Sequence, residues 1–225
     1  MAAPPDVTLE NLNGIWTLDK SMSSDTNPVL ALQGVNWVIR KAVAITTVTL
    51  DITEYQEPNP GTSKPVVRIE IVQSNSSGLP GTTEKRVLDW SENLQEDHLF
   101  GKCIAQTRLI RGIKQEDGNI VPNIDIQTQI EDEAIANFLR GEILDQDRTS
   151  EGFLVEAPRE DDAGEGEGLW VQLFVRNQVN GWTAEQVWGF ETIENERRFV
   201  RRLVVAKEGK YQVARIVYKF VGKKE

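Results

Sequence analysis

Hydrophobic and polar positions alternate with a period of two along most of the chain. Val48, Leu50 and Ile52 alternate with Thr47, Thr49, Asp51 and Thr53, the pattern of a strand with one buried face. Val67, Ile69 and Ile71 repeat it, and further strands are expected at 82–90 and from His98 to Leu109. Ile124, Ile126, Thr128 and Ile130 predict another, as do 152–158, 182–191, 197–206 and 211–220, with Leu169 to Val175 before them. The turns between them are marked by Asp117-Gly118-Asn119, Asn180-Gly181 and Lys207-Glu208-Gly209-Lys210. Near the N-terminus Leu12 to Asp19 reads as the first strand. A period near 3.6 then takes over for two short helices, one at Pro28–Leu32 and one at 35–44. One or two helical turns are expected within Glu131–Arg140.

About ten strands joined by short turns predict an all-β fold, a single antiparallel up-and-down barrel with a helix pair after the first strand. Closure removes the edges of such a sheet. Trp16 is expected to plug one end. No internal repeat or linker divides the chain, so residues 11–225 are read as one barrel domain behind a flexible arm at 1–10. The acidic, glycine-rich 159–168 reads as a mobile surface loop.

Composition narrows the partners. Asp and Glu number 35 against 25 Lys and Arg, a net charge of −10, which repels nucleic-acid phosphate and anionic lipid. One cysteine, Cys103, excludes an intrachain disulfide. The first residues lack a basic n-region and an apolar h-region, and no apolar run approaches the roughly 18 residues of a membrane span. The expectation is a cytoplasmic protein that binds no nucleic acid and does not span a membrane. The oligomeric state stays open, a homodimer included.

No His, Cys and carboxylate cluster has metal-ligand spacing. Gly164-x-Gly166-x-Gly168 lies among acids that would repel a phosphate. Cys103 and His98 differ by an odd offset, which separates them on a regular strand and argues for a core cysteine and a surface histidine. No metal and no cofactor is expected.

Two residue types remain. Six tryptophans are many for 225 residues. They fit plain core packing and also an aromatic ligand wall, since in a barrel core and pocket are one surface. The expected ligand-binding set is Trp37, Trp182, Gln186, Trp188, Phe199 and Tyr211. Arginines concentrate on the last two strands. Arg201 shares a face with Phe199, Leu203 and Val205, and Arg215 with Tyr211, Val213 and Val217. A buried arginine requires a counter-group, which is a protein carboxylate or an anionic ligand oxygen. Arg201 and Arg215 are the candidate catalytic residues.

Gly14-Ile15-Trp16-Thr17-Leu18-Asp19-Lys20-Ser21, followed by Ala31-Leu32-Gln33-Gly34-Val35, resembles the start of intracellular fatty-acid-binding proteins. Ala214 to Lys219 is similar to their last strand. The resemblance implies a calycin barrel, the group that includes the lipocalins, and is strongest to lipocalin-like fungal proteins. Some relatives on related barrels serve secondary metabolism as cofactor-free cyclases. Fatty-acid-binding proteins are much shorter, so 120–168 has no counterpart in them. They hold a carboxylate with an Arg-x-Tyr pair, whereas the spacing here is Arg215-x-x-Tyr218, which places the two side chains on opposite faces.

The expected function is binding of a hydrophobic small molecule inside the barrel. The leading form is a cofactor-independent cyclase or isomerase acting on a polyketide or terpenoid intermediate of secondary metabolism. The alternative is a non-catalytic carrier of a fatty acid or other apolar ligand.

Overall fold

The computed structural model describes residues 1–59, 65–78, 80–145, 148–158 and 165–224. It opens with β1 (Gly14–Leu18), α1 (Asn27–Leu32) and α2 (Trp37–Ile45). The strands β2 (Val48–Glu57), β3 (Val66–Asn75), β4 (Thr82–Val87), β5 (Asn93–Asp97) and β6 (Gly101–Lys114) follow. An insertion holds β7 (Ile120–Pro122), α3 (Glu133–Arg140), β8 (Ile143–Asp145) and β9 (Arg148–Thr149). The chain finishes with β10 (Glu167–Asn177), β11 (Thr183–Ile193), β12 (Glu196–Lys207) and β13 (Lys210–Gly222).

Ten strands form one curled antiparallel sheet in the order β4-β3-β2-β1-β13-β12-β11-β10-β6-β5, with β7 attached to β6. This is the expected antiparallel up-and-down barrel with a helix pair after its first strand. The two ends of the sheet, β4 and β5, meet through side chains. Arg86 Nη1 donates to Gln95 Oε1 at 2.9 Å across this seam, and the Gln95 amide donates to the Lys85 carbonyl. Trp16 is fully buried at one end of the barrel, with ring centroids of Phe220, Phe199 and Phe190 at 5.0, 5.3 and 6.5 Å. No described helix is long and apolar enough to cross a membrane.

Local sequence explains the helix pair. Asn36 caps α2 by accepting from the Val38 N–H at 2.8 Å, and Gly34, at φ 82°, turns the chain between the two helices. Residues 1–10, expected as a loose arm, pack against the Trp16 end instead. Ala3, Val7 and Leu9 are buried, and Arg197 donates to the Pro4 and Val7 carbonyls, both at 2.9 Å.

The strand expected at 124–130 is irregular chain. Its alternating residues do bury Ile124 and Thr128, but its backbone pairs with a side chain. The Glu185 carboxylate accepts from the N–H groups of Gln127 and Thr128 and from the Thr128 hydroxyl, at 2.8–3.1 Å. The strand expected at 152–158 is likewise irregular, with Phe153 packed over Gly189. A Cβ on Gly189 would lie 2.6 Å from Phe153 Cδ1 and 2.8 Å from Trp170 Cδ1, so the insertion docks where the barrel wall has no side chain. The strand expected from His98 begins at Gly101, and β5 was not expected at all. Of the loop expected at 159–168, residues 159–164 lie outside the described residues, and Glu167 and Gly168 begin β10.

Candidate active site

The barrel interior follows from strand parity. Trp188 pairs with Arg201, Gln186 with Leu203, and Phe199 with both Phe190 and Tyr218. On the far side Ile69 pairs with Arg86 and Ile71 with Glu84. These residues all point inward.

A cavity of about 190 Å3 lies beside α1, with Val29 and Leu30 of that helix against it. Phe100, Val175, Trp182 and Leu203 give it apolar walls, and Glu84, Arg86, Gln95, Asp97, Cys103 and Gln186 add polar groups. The Gln186 carbonyl accepts from Trp188 Nε1 at 2.8 Å, which fixes the amide orientation and turns its NH2 donors away from Trp188.

Arg201 lies next to this space and is 5% exposed. Its guanidinium carbon is 4.0 Å from the Trp188 ring centroid, 5.5 Å from that of Tyr218 and 5.7 Å from that of Phe199. Such a three-ring cage stabilises a desolvated cation by about 2 kcal/mol per good contact. Its nearest carboxylate is Glu84, at 3.7 Å, too long for a direct hydrogen bond. Glu84 bonds Arg86 Nη2 at 2.9 Å. Arg201 Nε and Nη2 and Arg86 Nε are buried without a partner.

Burial pushes the Glu84 carboxyl up, but Arg86 and Arg201 outweigh it and hold the group below the usual carboxylate range. Burial pushes the Tyr218 phenol up, Arg201 draws it back in part, and Glu84 adds to the rise. Tyr218 is therefore a neutral phenol at neutral pH. No cluster of three or more potential metal ligands occurs among the described residues.

Of the expected site residues, Trp182 and Gln186 line the cavity, and Trp188, Phe199 and Arg201 point into the barrel interior beside it. The other three lie elsewhere. Arg215 pairs with Arg202 on the outer face and reaches Glu191 at 3.2 Å. Tyr211 is also outside, where its hydroxyl donates to Asp132 Oδ2 at 2.6 Å beside a hollow of about 610 Å3 under α3. Trp37 is 58% exposed on α2, with Lys41 Nζ 4.8 Å from its ring centroid. The opposite-face reading of Arg215 and Tyr218 matches the barrel, since Tyr218 points inward. Glu84, Arg86, Asp97 and Tyr218 were not expected at the site. On β4 both parities are polar, so no apolar face marked which side chains turn in.

The chain is similar over nearly its whole length to two curated proteins. It is 25% identical over 221 residues to a protein described as a probable pericyclase, scpY, of Mollisia scopiformis, covering 98% of this chain and 95% of the relative. It is 23% identical over 222 residues to the pericyclase pydY of an Acremonium species, covering 99% and 98%. Among solved structures, a Schistosoma mansoni fatty-acid-binding protein in complex with arachidonic acid superposes with a TM-score of 0.49 at 10% identity, covering 93% of this chain and 95% of that one. No protein-family model matches the chain.

Proposed function

We propose that this protein is a cofactor-independent cyclase of the pericyclase type. It folds an apolar polyketide or terpenoid intermediate of fungal secondary metabolism inside the barrel. The observation that carries this reading is a pair of buried guanidiniums with unpartnered N–H donors: Arg86 lines a mixed polar and apolar cavity, and Arg201 stands beside it at the Glu84 carboxylate. The full-length similarity to two pericyclases supports it.

A pericyclic step moves electrons around a ring of orbitals and needs no proton relay or redox partner. The protein's part is to hold a flexible chain in its reactive conformer and to polarise one conjugated carbonyl. Arg201 and Arg86 donate to that carbonyl, with Tyr218 as a neutral donor nearby. Trp182 supplies a flat surface for the unsaturated chain, while Trp188 and Phe199 hold the Arg201 guanidinium. At about 190 Å3 the cavity is smaller than the ~300–1,000 Å3 of common ligand sites, which favours a compact, folded substrate.

Deletion of the gene in its host tests this. The deletion strain accumulates an uncyclised or stereochemically mixed intermediate, and purified protein converts the isolated intermediate to one stereoisomer faster than buffer does. Unchanged metabolite profiles, or binding without a rate gain, would leave the carrier reading.

A further inference from the structure

We infer that the cavity selects a neutral carbonyl compound over the carboxylic acid of the same body; this rests on the reading that the barrel interior is the ligand site. The first argument is charge balance. Arg86, Glu84 and Asp97 line the cavity, and Arg201 reaches the Glu84 carboxylate at 3.7 Å. Two positive groups therefore stand with two negative ones. Among the described residues lining the cavity, Arg86 is the sole cationic side chain. Asp97 Oδ1 accepts from the Leu99 and Phe100 N–H groups, both at 2.7 Å. Arg215 cannot supply a third cation, because it lies outside the barrel with Glu191. A carboxylate entering this enclosure would be the third negative charge against two positive ones, and an uncompensated buried charge is expensive.

The second argument is a shortage of acceptors. Arg86 Nε, Arg201 Nε and Nη2, and Trp182 Nε1 are all buried without a partner. Arg86 and Arg201 are more than nine-tenths buried, at 7% and 5% exposure. A buried donor left unmade costs about 1–3 kcal/mol. A ketone, ester or lactone oxygen brings two lone pairs to these donors and no charge. The interior thus asks for an acceptor while its charge is already cancelled.

Displacement of the neutral dye Nile red by octanoic acid, methyl octanoate and 2-nonanone tests the inference. The three share an apolar chain, and near neutral pH the acid alone is charged. The ester and the ketone are expected to bind roughly tenfold tighter than octanoate, or more, a difference of about 1.4 kcal/mol. Glu84→Gln keeps an acceptor for Arg86 and removes one negative charge, so it shifts the preference toward the acid by roughly tenfold. Asp97→Asn makes the same charge change from the neighbouring strand β5 across the seam and serves if Glu84→Gln does not fold. Octanoate binding as tightly as its ester in the wild type, or a preference that neither folded variant moves, overturns the inference while the cavity reading stands. If the protein binds neither Nile red nor any of the three compounds, the cavity reading falls and takes this inference with it.

Discussion

Arg201 and Trp188 are direct cross-strand partners, and the guanidinium carbon of one lies 4.0 Å from the ring centroid of the other. The pair sets a cation on an aromatic platform inside the barrel, with two of its nitrogens unpartnered. Arg201→Met removes these donors and substitutes a side chain that packs well among rings. Turnover is expected to fall by roughly 10^2–10^3-fold, as for other buried donors at a reacting oxygen. Nile red affinity changes little, because the apolar walls remain. Retained turnover in a folded Arg201→Met protein would remove Arg201 from the site.

Cys103 reports on the same space. It is the sole cysteine of the chain, 6% exposed, and it lines the cavity. Burial pushes its thiol up, only partly offset by the Asn177 amide at 3.4 Å. Maleimide labelling is therefore expected to be slow at neutral pH and to quicken only above the ordinary thiol range. Saturation with a neutral apolar ligand slows it further, by roughly tenfold, in an intact-mass time course. A rate equal to that of a free thiol and indifferent to ligand would place the ligand elsewhere.

The contrast between Arg201 and Arg215 shows where the sequence is readable. Both arginines sit among apolar residues of their own parity. For Arg201 those neighbours face the interior. For Arg215 they face the outer wall, much of which the 120–158 insertion covers: Val200, Arg202 and Val204 of the adjacent strand are fully buried there. A strand buried on both faces carries apolar residues at both parities, so its pattern marks the strand without marking its inner side. The strands β11, β12 and β13 were legible for the same reason that their orientation was not. The insertion hid differently. Ile124 to Ile130 alternate because alternate residues bury, yet their N–H groups bond to Glu185, which no periodicity records. Glu84 and Arg86 left no signal because β4 is polar on both faces.

Asp19 ties the end of β1 to β13 in a pH-dependent way. Burial pushes its carboxyl up, but the Ser21 hydroxyl at 2.6 Å and Lys219 Nζ at 2.9 Å prevail and hold it below the usual range. A carboxyl with a lowered folded-state pKa contributes stability above its unfolded value, about 3.8, and loses it as pH falls through the lower folded value. Wild type is thus expected to exceed Asp19→Asn in stability at pH 7, by about 1–2 kcal/mol. Denaturant titrations should show that margin shrinking as the pH drops below 3.8. A margin that grows with acid would reverse the sign argued here.

Glu191 holds the insertion to the barrel from outside. Its carboxylate bonds the fully buried Arg202 at 2.7 Å and Arg215 at 3.2 Å. Arg202 in turn donates to the carbonyls of Phe138 and Ile143, at 3.1 and 2.6 Å, and to the Ser150 hydroxyl at 2.8 Å. Glu191→Ala leaves Arg202 buried without its counter-charge, a loss of about 3–5 kcal/mol. Arg215→Ala removes only the partly exposed member and leaves the Glu191–Arg202 bond intact, so it costs about 1 kcal/mol or less. Because Arg215 faces away from the cavity, its removal leaves ligand affinity and turnover unchanged. Paired denaturation and binding curves on the two variants separate these roles. A ligand-affinity loss in Arg215→Ala with stability untouched would return Arg215 to the site and redraw the interior face of β13.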